Sequence, residues 1–523
     1  GNSNNGTGTL NVKDNGTFTT DGDFNISDVG TSTGIINLSG TGTITSTGQT
    51  FVGKNGAEAG GTTGTINQTG GTFNCSNWIS VGRFRYSTGT VNVSGGAFNQ
   101  TSNDQGLIIG EEGAGTLNVT GGGVNITGNP GLLVTNNATS VGTVNLDGGT
   151  ITTKRVQAGA GGAGTANFNF DGGTLTAGTG ANADFFTGMD TAVFEDGGGT
   201  INSNGNTIAI NQTLTGIGGL TKSGAGTLLI NGSAEYTGTT VVSAGTLGGI
   251  GNIAGNVTVN SGASINPGAP LGVLTATGTT TFSAGASLTI DLDASPDMLA
   301  AVNLVLNNTT LVLNGTPTQP VYLLARYGSR SGTFATAAPA GYAYDYNYIS
   351  EGFSHIALVQ TGGGSPYATW INTFFPGETN PAIIGETADP DKDGSSNALE
   401  FALGGAPNSG SNNAKVYSLQ ADGSVDPDTN KELLLTIAVR TGTPAFSPAT
   451  GGSPTATHEG FTYTVQGSLN LSGFATGVTV VAPVPPASNP TAPTGYEYRT
   501  FSLDGSNNLT GKGFLRARVT KVP

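Results

Sequence analysis

Between residues 8 and 216 the apolar positions recur in short alternating runs rather than at helical spacing. TVNVS, GAFNQ and GLIIG, within the stretch from Gly89 to Gly110, place Val, Phe, Leu and Ile between Thr, Asn and Gly, and turn residues separate the runs. Period-two alternation over four to six residues predicts strands that bury one face. The run GTVNVSGG at Gly89 returns as GTLNVTGG at Gly115. A wider motif, G-[TI]-[LIVA]-N, begins at Gly8, Gly34, Gly64, Gly89, Gly115, Gly142, Gly164 and Gly199, in steps of 26, 30, 25, 26, 27, 22 and 35 residues. Three short strands in a unit of about 26 residues describe one coil of a solenoid. The predicted fold is all-β: a right-handed three-sided parallel β-helix, then a small β-sandwich-like C-terminal domain.

The strand pleat assigns the faces. Val91, Val93, Leu117 and Val119 are predicted inward, and Thr90, Asn92, Thr116 and Asn118 outward. Coils stack ~4.8 Å apart. The outer face is therefore expected to carry an amide ladder through Asn11, Asn37, Asn67, Asn92, Asn118 and Asn145, each residue bonded to the next. Phe73 and Cys75 share an inward face. Cys75 is the one cysteine, so no intrachain disulfide forms, and it reads as a small core residue.

Composition narrows the partners. Charged residues make up 10 %, glycine numbers 89, and the net charge is −15 with 18 Lys plus Arg. That leaves no basic patch able to track a phosphate backbone, so nucleic acid is excluded as a partner. No apolar stretch approaches the ~20 residues of a membrane-spanning helix, so no transmembrane segment is expected. The opening Gly reads as a processed, secreted product.

From about Gly218 the wording changes. GGLTKSGAGTLLINGSAEYTGTTVVSAGTL and then GNVTVNSGASINPG from Gly255 resemble the autotransporter-associated β-strand repeat. That resemblance implies a passenger-type β-helix on a cell surface or in the medium. YLLARYGSRSGTF at Tyr322 and YDYNYISEGFSHIALVQ at Tyr344 resemble the closing β segment of such proteins. After Gly364 no series of amphipathic ~10-residue strands of a membrane barrel follows. TGGGSP, Thr361–Pro366, reads as a linker. The tail from Tyr367, with DPDKDGSSNALEFALGG as its specific part, resembles the C-terminal module of large secreted proteins from Verrucomicrobia-like bacteria. The expected organisation is a β-helix over 1–216, autotransporter-type coils over 217–300 and a β-rich closing segment over 301–360. The linker, 361–366, leads to a loop-and-helix segment over 367–405 and a sandwich-like module over 406–523.

The sharpest motif is Asp389, Asp391, Asp393, Gly394, Ser395, Asn397 and Glu400, which occupy positions 1, 3, 5, 6, 7, 9 and 12 of a calcium loop. A hard cation takes six to eight oxygens, and a tight loop aims alternate side chains at one point. Ser395 is expected to offer its backbone carbonyl, Glu400 both carboxylate oxygens and Gly394 the sharp turn. The site is read as structural Ca2+, against a solvated acidic turn. NALEFALGG is predicted as a helix ending at Gly404. Asp147, Asp171 and Asp196 each precede GG at a coil turn, where short polar side chains bond backbone. Turn chemistry is preferred there to a catalytic or metal-binding ladder. Glu111 and Glu112 read as solvated corner residues. His355 and His458 suggest no triad or zinc site. The tyrosines from Tyr342 to Tyr348 read as a cap for the solenoid, with sugar stacking as the alternative. Lys222 and Arg326 have no visible partners.

These readings favour an extracellular structural protein over an enzyme. Its partners are expected to be copies of itself, joined head to tail into a fibre, sheath or layer. A surface adhesin binding polysaccharide is the alternative, with a β-helical lyase or hydrolase a distant third.

Overall fold

In the computed structural model successive strands lie parallel, one coil above the next, on three faces. The structure describes all residues except 1–4, 56–59, 162–163, 269–271, 293–296, 351, 362–365, 377, 379, 422–430, 505–511 and 523. The chain divides into two compact units, 1–339 with 344–358 and 340–343 with 359–523. Of the expected linker Thr361–Pro366, residues 362–365 lie outside the described residues.

The first unit is a parallel β-solenoid of about 13 turns. Its first coil consists of Thr7–Val12, Thr17–Thr20 and Phe24–Ile26, one strand for each face. These strands pair in parallel with Thr33–Leu38, Thr43–Ser46 and Thr50–Val52 of the second coil. Leu117 lies opposite Val91 on one side and Val144 on the other. All three are fully buried, as the alternation predicts. Phe73 and Cys75 are also fully buried, and Phe73 stacks on Phe98 at 4.7 Å. Burial pushes the Cys75 thiol pKa up.

The motif glycine has a steric cause. A Cβ on Gly115 would lie 2.5 Å from the Val81 carbonyl oxygen, so the first face can close onto the preceding coil's third face only without a side chain. Two motif matches fall out of register. Ala166, not Gly164, stands opposite Gly142, so Asn169 rather than Asn167 continues the column of Asn145. Gly199 begins a second-face strand and pairs with the strand at Thr174. TANFNF carries asparagine at two alternate positions, and a four-letter motif cannot distinguish them.

Coils shorten after Gly218. Thr221 lies opposite Val241, and Val241 opposite Thr258, steps of 20 and 17 residues. Parallel pairing then continues past residue 300, through Met298–Asn314 to Val321–Phe334.

Among the described residues the second unit holds three helices and two antiparallel sheets. The helices are α1 (Pro366–Phe374), α2 (Pro381–Ile384) and α3 (Asn397–Leu403). YATWINTFFP, which the sequence did not mark as helical, supplies α1. Helix α3 ends at Gly404 in the left-handed conformation, φ 76°, the expected stop. One sheet joins the strands at Val416, Glu432, Tyr496 and Val478, and the other those at Thr455, Phe461 and Phe514. Leu435, Ile437 and Phe501 of the first sheet pack with Tyr463 and Val465 of the second and with Leu403 of α3. This is a small sandwich with a helix sealed into its core.

Candidate functional site

The acidic loop between α2 and α3 is held by its own side chains. Asp389 accepts from the Gly394 N–H at 3.0 Å, Asp391 from Asp393 at 3.3 Å and Asp393 from Ser395 at 2.7 Å. Lys392 and Gly394 take left-handed backbones, φ 62° and 93°, which fold the loop back on itself. One carboxylate oxygen from each of Asp389, Asp391 and Asp393 lies within 4.8 Å of the others. Asn397 and Glu400 are fully buried on α3. Asn397 donates to the Ile383 and Gly385 carbonyls at 2.8 and 2.9 Å. Six oxygens have no hydrogen-bond partner among the described residues: Asp389 Oδ1, Asp391 Oδ2, Asp393 Oδ2, Asn397 Oδ1 and both Glu400 Oε atoms. Burial, and then Asp391 and Asp393, push the Glu400 carboxyl up to about 7. Uncompensated, such a group sheds its charge or takes a cation.

A second constellation lies at a corner of the third coil, in the loop VGRFRYSTG. The Arg83 guanidinium stands 4.0 Å from the Phe51 ring centre, 4.7 Å from that of Phe84 and 5.0 Å from that of Trp78. Its Nε lies 3.9 Å from Glu111, which accepts from buried Ser80 at 2.7 Å. Glu111 is only 8 % exposed, which corrects its reading as a solvated corner residue, and burial pushes its carboxyl pKa up. Phe51 is outward-facing by the pleat, yet fully buried, because Arg83 and Lys54 lie over it. The turn is closed by the Ser87 N–H on the Phe84 carbonyl at 3.0 Å. Tyr86 sits at its third position with φ 69°, where glycine is the usual occupant. A bulky residue there is strained by roughly 1–3 kcal/mol.

The outer amide ladder forms as predicted and runs one residue further. Each Nδ2 donates to the preceding coil's Oδ1 at 2.7–3.0 Å, from Asn37 onto Asn11 through Asn67, Asn92, Asn118 and Asn145 to Asn169. A second ladder, Asn125 onto Asn99 onto Asn74, occupies the next face. The sequence motif, anchored on the first face, did not mark it.

Lys222 is fully buried inside the solenoid. Its ammonium donates to the Ser223, Gly224 and Ala244 carbonyls, each at 2.8 Å. Arg326 lies 4.9 Å from the Phe353 ring. Both therefore have the partners the sequence did not reveal. Burial lowers the Lys222 pKa to about 8. In the turn column Asp171 accepts from the Gly197 N–H at 2.7 Å. Asp147 is exposed, and its carboxyl pKa is raised by desolvation and by Asp171. His355 lies 3.0 Å from the Phe353 carbonyl oxygen, and His458 lies 3.9 Å from Glu459. Tyr344 and Tyr346 pack around Phe334 at 5.4 and 6.0 Å, at the end of the strand Val321–Phe334.

A family model described as passenger-associated-transport-repeat matches residues 220–248. No curated protein and no solved structure matches the chain. The matched span begins at the shortened coils and contains Lys222. A parallel β-solenoid carrying this repeat fits a passenger-type β-helix of the autotransporter kind, a class of secreted and surface proteins. No helix among the described residues is long and apolar enough to cross a membrane.

Proposed function

We propose that the chain is an extracellular structural passenger that associates with copies of itself into a fibre, sheath or layer. The register of the coils carries this reading. Gly8, Gly34, Gly64, Gly89, Gly115 and Gly142 fall opposite one another on successive coils, so one coil edge is complementary to another. Unpaired strand edges join when their polar groups and apolar ends can be covered together. Apolar area covered at such a joint stabilises by roughly 25 cal/mol per Å², against which the entropy cost of association is set. Electron micrographs of purified protein at rising concentration test it: filaments or sheets are expected, and separate rods at every concentration contradict it.

The acidic loop is assigned one structural Ca2+. Asp389, Asp391, Asp393, Asn397 and Glu400 would supply side-chain oxygens, and Ser395 its carbonyl. The unpartnered oxygens of this loop fit a hard cation, which takes six to eight such atoms. Bound there, the ion would neutralise the clustered carboxylates and fix the loop against α3.

Adhesion to a polysaccharide is the second reading, and the aromatic corner at Arg83–Tyr86 favours it.

A further inference from the structure

We infer that the Arg83–Tyr86 corner is a binding site for an acidic, uronate-bearing polysaccharide, an assignment that rests on the adhesion reading and gives it a place and a ligand class.

Three aromatic side chains are exposed among the described residues: Phe84, Tyr86 and Phe353. Two of them share this one turn, at 37 % and 47 % exposure. Residues 1–216 contain six basic side chains, Lys13, Lys54, Arg83, Arg85, Lys154 and Arg155. Three of the six stand at this corner. The loop therefore concentrates aromatic and cationic groups on coils that otherwise display threonine and asparagine.

The turn is built for display. Tyr86 holds the left-handed backbone that glycine would hold without strain. Its ring stands in solvent beside the Arg85 guanidinium, 4.9 Å from the ring centre. Strain retained at an exposed aromatic points to a role for the ring outside the fold. In the same turn Arg83 is packed against the Phe51 and Phe84 rings and stands beside Glu111. Lys54 is matched by Asp28 at 3.4 Å and Arg83 by Glu111. Arg85 is exposed and forms no ion pair among the described residues.

The chemistry selects the ligand. Aromatic rings cover the C–H face of a pyranose, and a guanidinium fork matches a carboxylate with two parallel hydrogen bonds. The exposed hydroxyls of Thr63 and Thr88, stacked on adjacent coils next to the turn, suit a polyhydroxyl chain. A neutral glycan would leave Arg85 unused. On a chain of net charge −15, diffuse attraction does not recruit a polyanion, so capture has to be local.

The test is calorimetric titration of the intact chain with a linear oligogalacturonate and with the neutral oligogalactan of the same length. Tyr86→Gly and Arg85→Ala are titrated alongside, and melting temperatures are recorded. Saturable binding of the acidic oligomer is expected, weaker with the neutral one and weakened about tenfold or more by each variant. Tyr86→Gly is also expected to raise the melting temperature, which a residue serving only the fold would lower. Acidic-oligomer binding that neither variant weakens overturns the site while the adhesion reading stands. Equal or stronger binding of the neutral oligomer overturns the ligand class. Absence of binding to either oligomer overturns the inference, and adhesion itself falls only if the chain is also retained by none of a panel of insoluble polysaccharides.

Discussion

The Tyr496 hydroxyl donates to the Phe401 carbonyl at 2.7 Å. One residue on, the Tyr463 hydroxyl donates to the Ala402 carbonyl at 3.1 Å. These two bonds satisfy carbonyls in the last turn of α3, whose first residues belong to the acidic loop. The two tyrosines come from different sheets of the sandwich. Whatever orders the loop is thereby coupled to the whole C-terminal unit.

Calcium is therefore expected to raise the melting temperature of that unit. A free ion concentration one hundred times its Kd stabilises by about 2.7 kcal/mol. Chelation reverses the shift, and Asp391→Ala removes the response. Differential scanning calorimetry with and without chelator is the check, and identical melting under all conditions removes the ion from the account.

Lys222 predicts a pH dependence of the solenoid. Its pKa of about 8 in the fold lies below the ordinary 10.5, so between these values the unfolded chain binds more protons. Stability then rises with pH across that window. Lys222→Met cannot titrate there and leaves three carbonyls without their donor, so it is expected to abolish this contribution and to lower stability near neutral pH. Thermal melts of both proteins from pH 7 to 10.5 give the difference, and parallel curves contradict it.

The asparagine ladder predicts a position effect. Asn92 makes two ladder bonds, to Asn67 and Asn118, whereas Asn169 makes one, to Asn145. Asn92→Ala is expected to cost roughly 1–2 kcal/mol and Asn169→Ala about half as much. Denaturant unfolding of the two variants measures the ratio.

In the core, Leu117→Ala leaves a hole between Val91 and Val144 and is expected to cost roughly 2–5 kcal/mol. Thr116→Val, on the outer face, is expected to change stability little. A reversal of that order contradicts the assigned faces.

The solenoid was legible because its cause is periodic. Coils stack side chain on side chain, so one good coil such as Thr88–Gln100 writes itself again at Ala114–Ile126, and alternation then fixes inward Leu117 and outward Asn118. The helix after the acidic loop was legible from its Gly404 stop. What escaped lies at corners and in single side chains that reach across coils. Glu111 meets Arg83 and Ser80 only after two loops of different length fold together. Lys222 finds the Ala244 carbonyl a coil away. The displaced register at Ala166 depends on which of two alternating asparagines the fold selects. None of these leaves a period in the sequence.

Self-association is the central claim, and sedimentation velocity of the intact chain over a wide concentration range, with calcium present, tests it most directly. A sedimentation coefficient that climbs with concentration as copies join is expected. A single, concentration-independent species of monomer mass would contradict it and leave adhesion as the surviving reading.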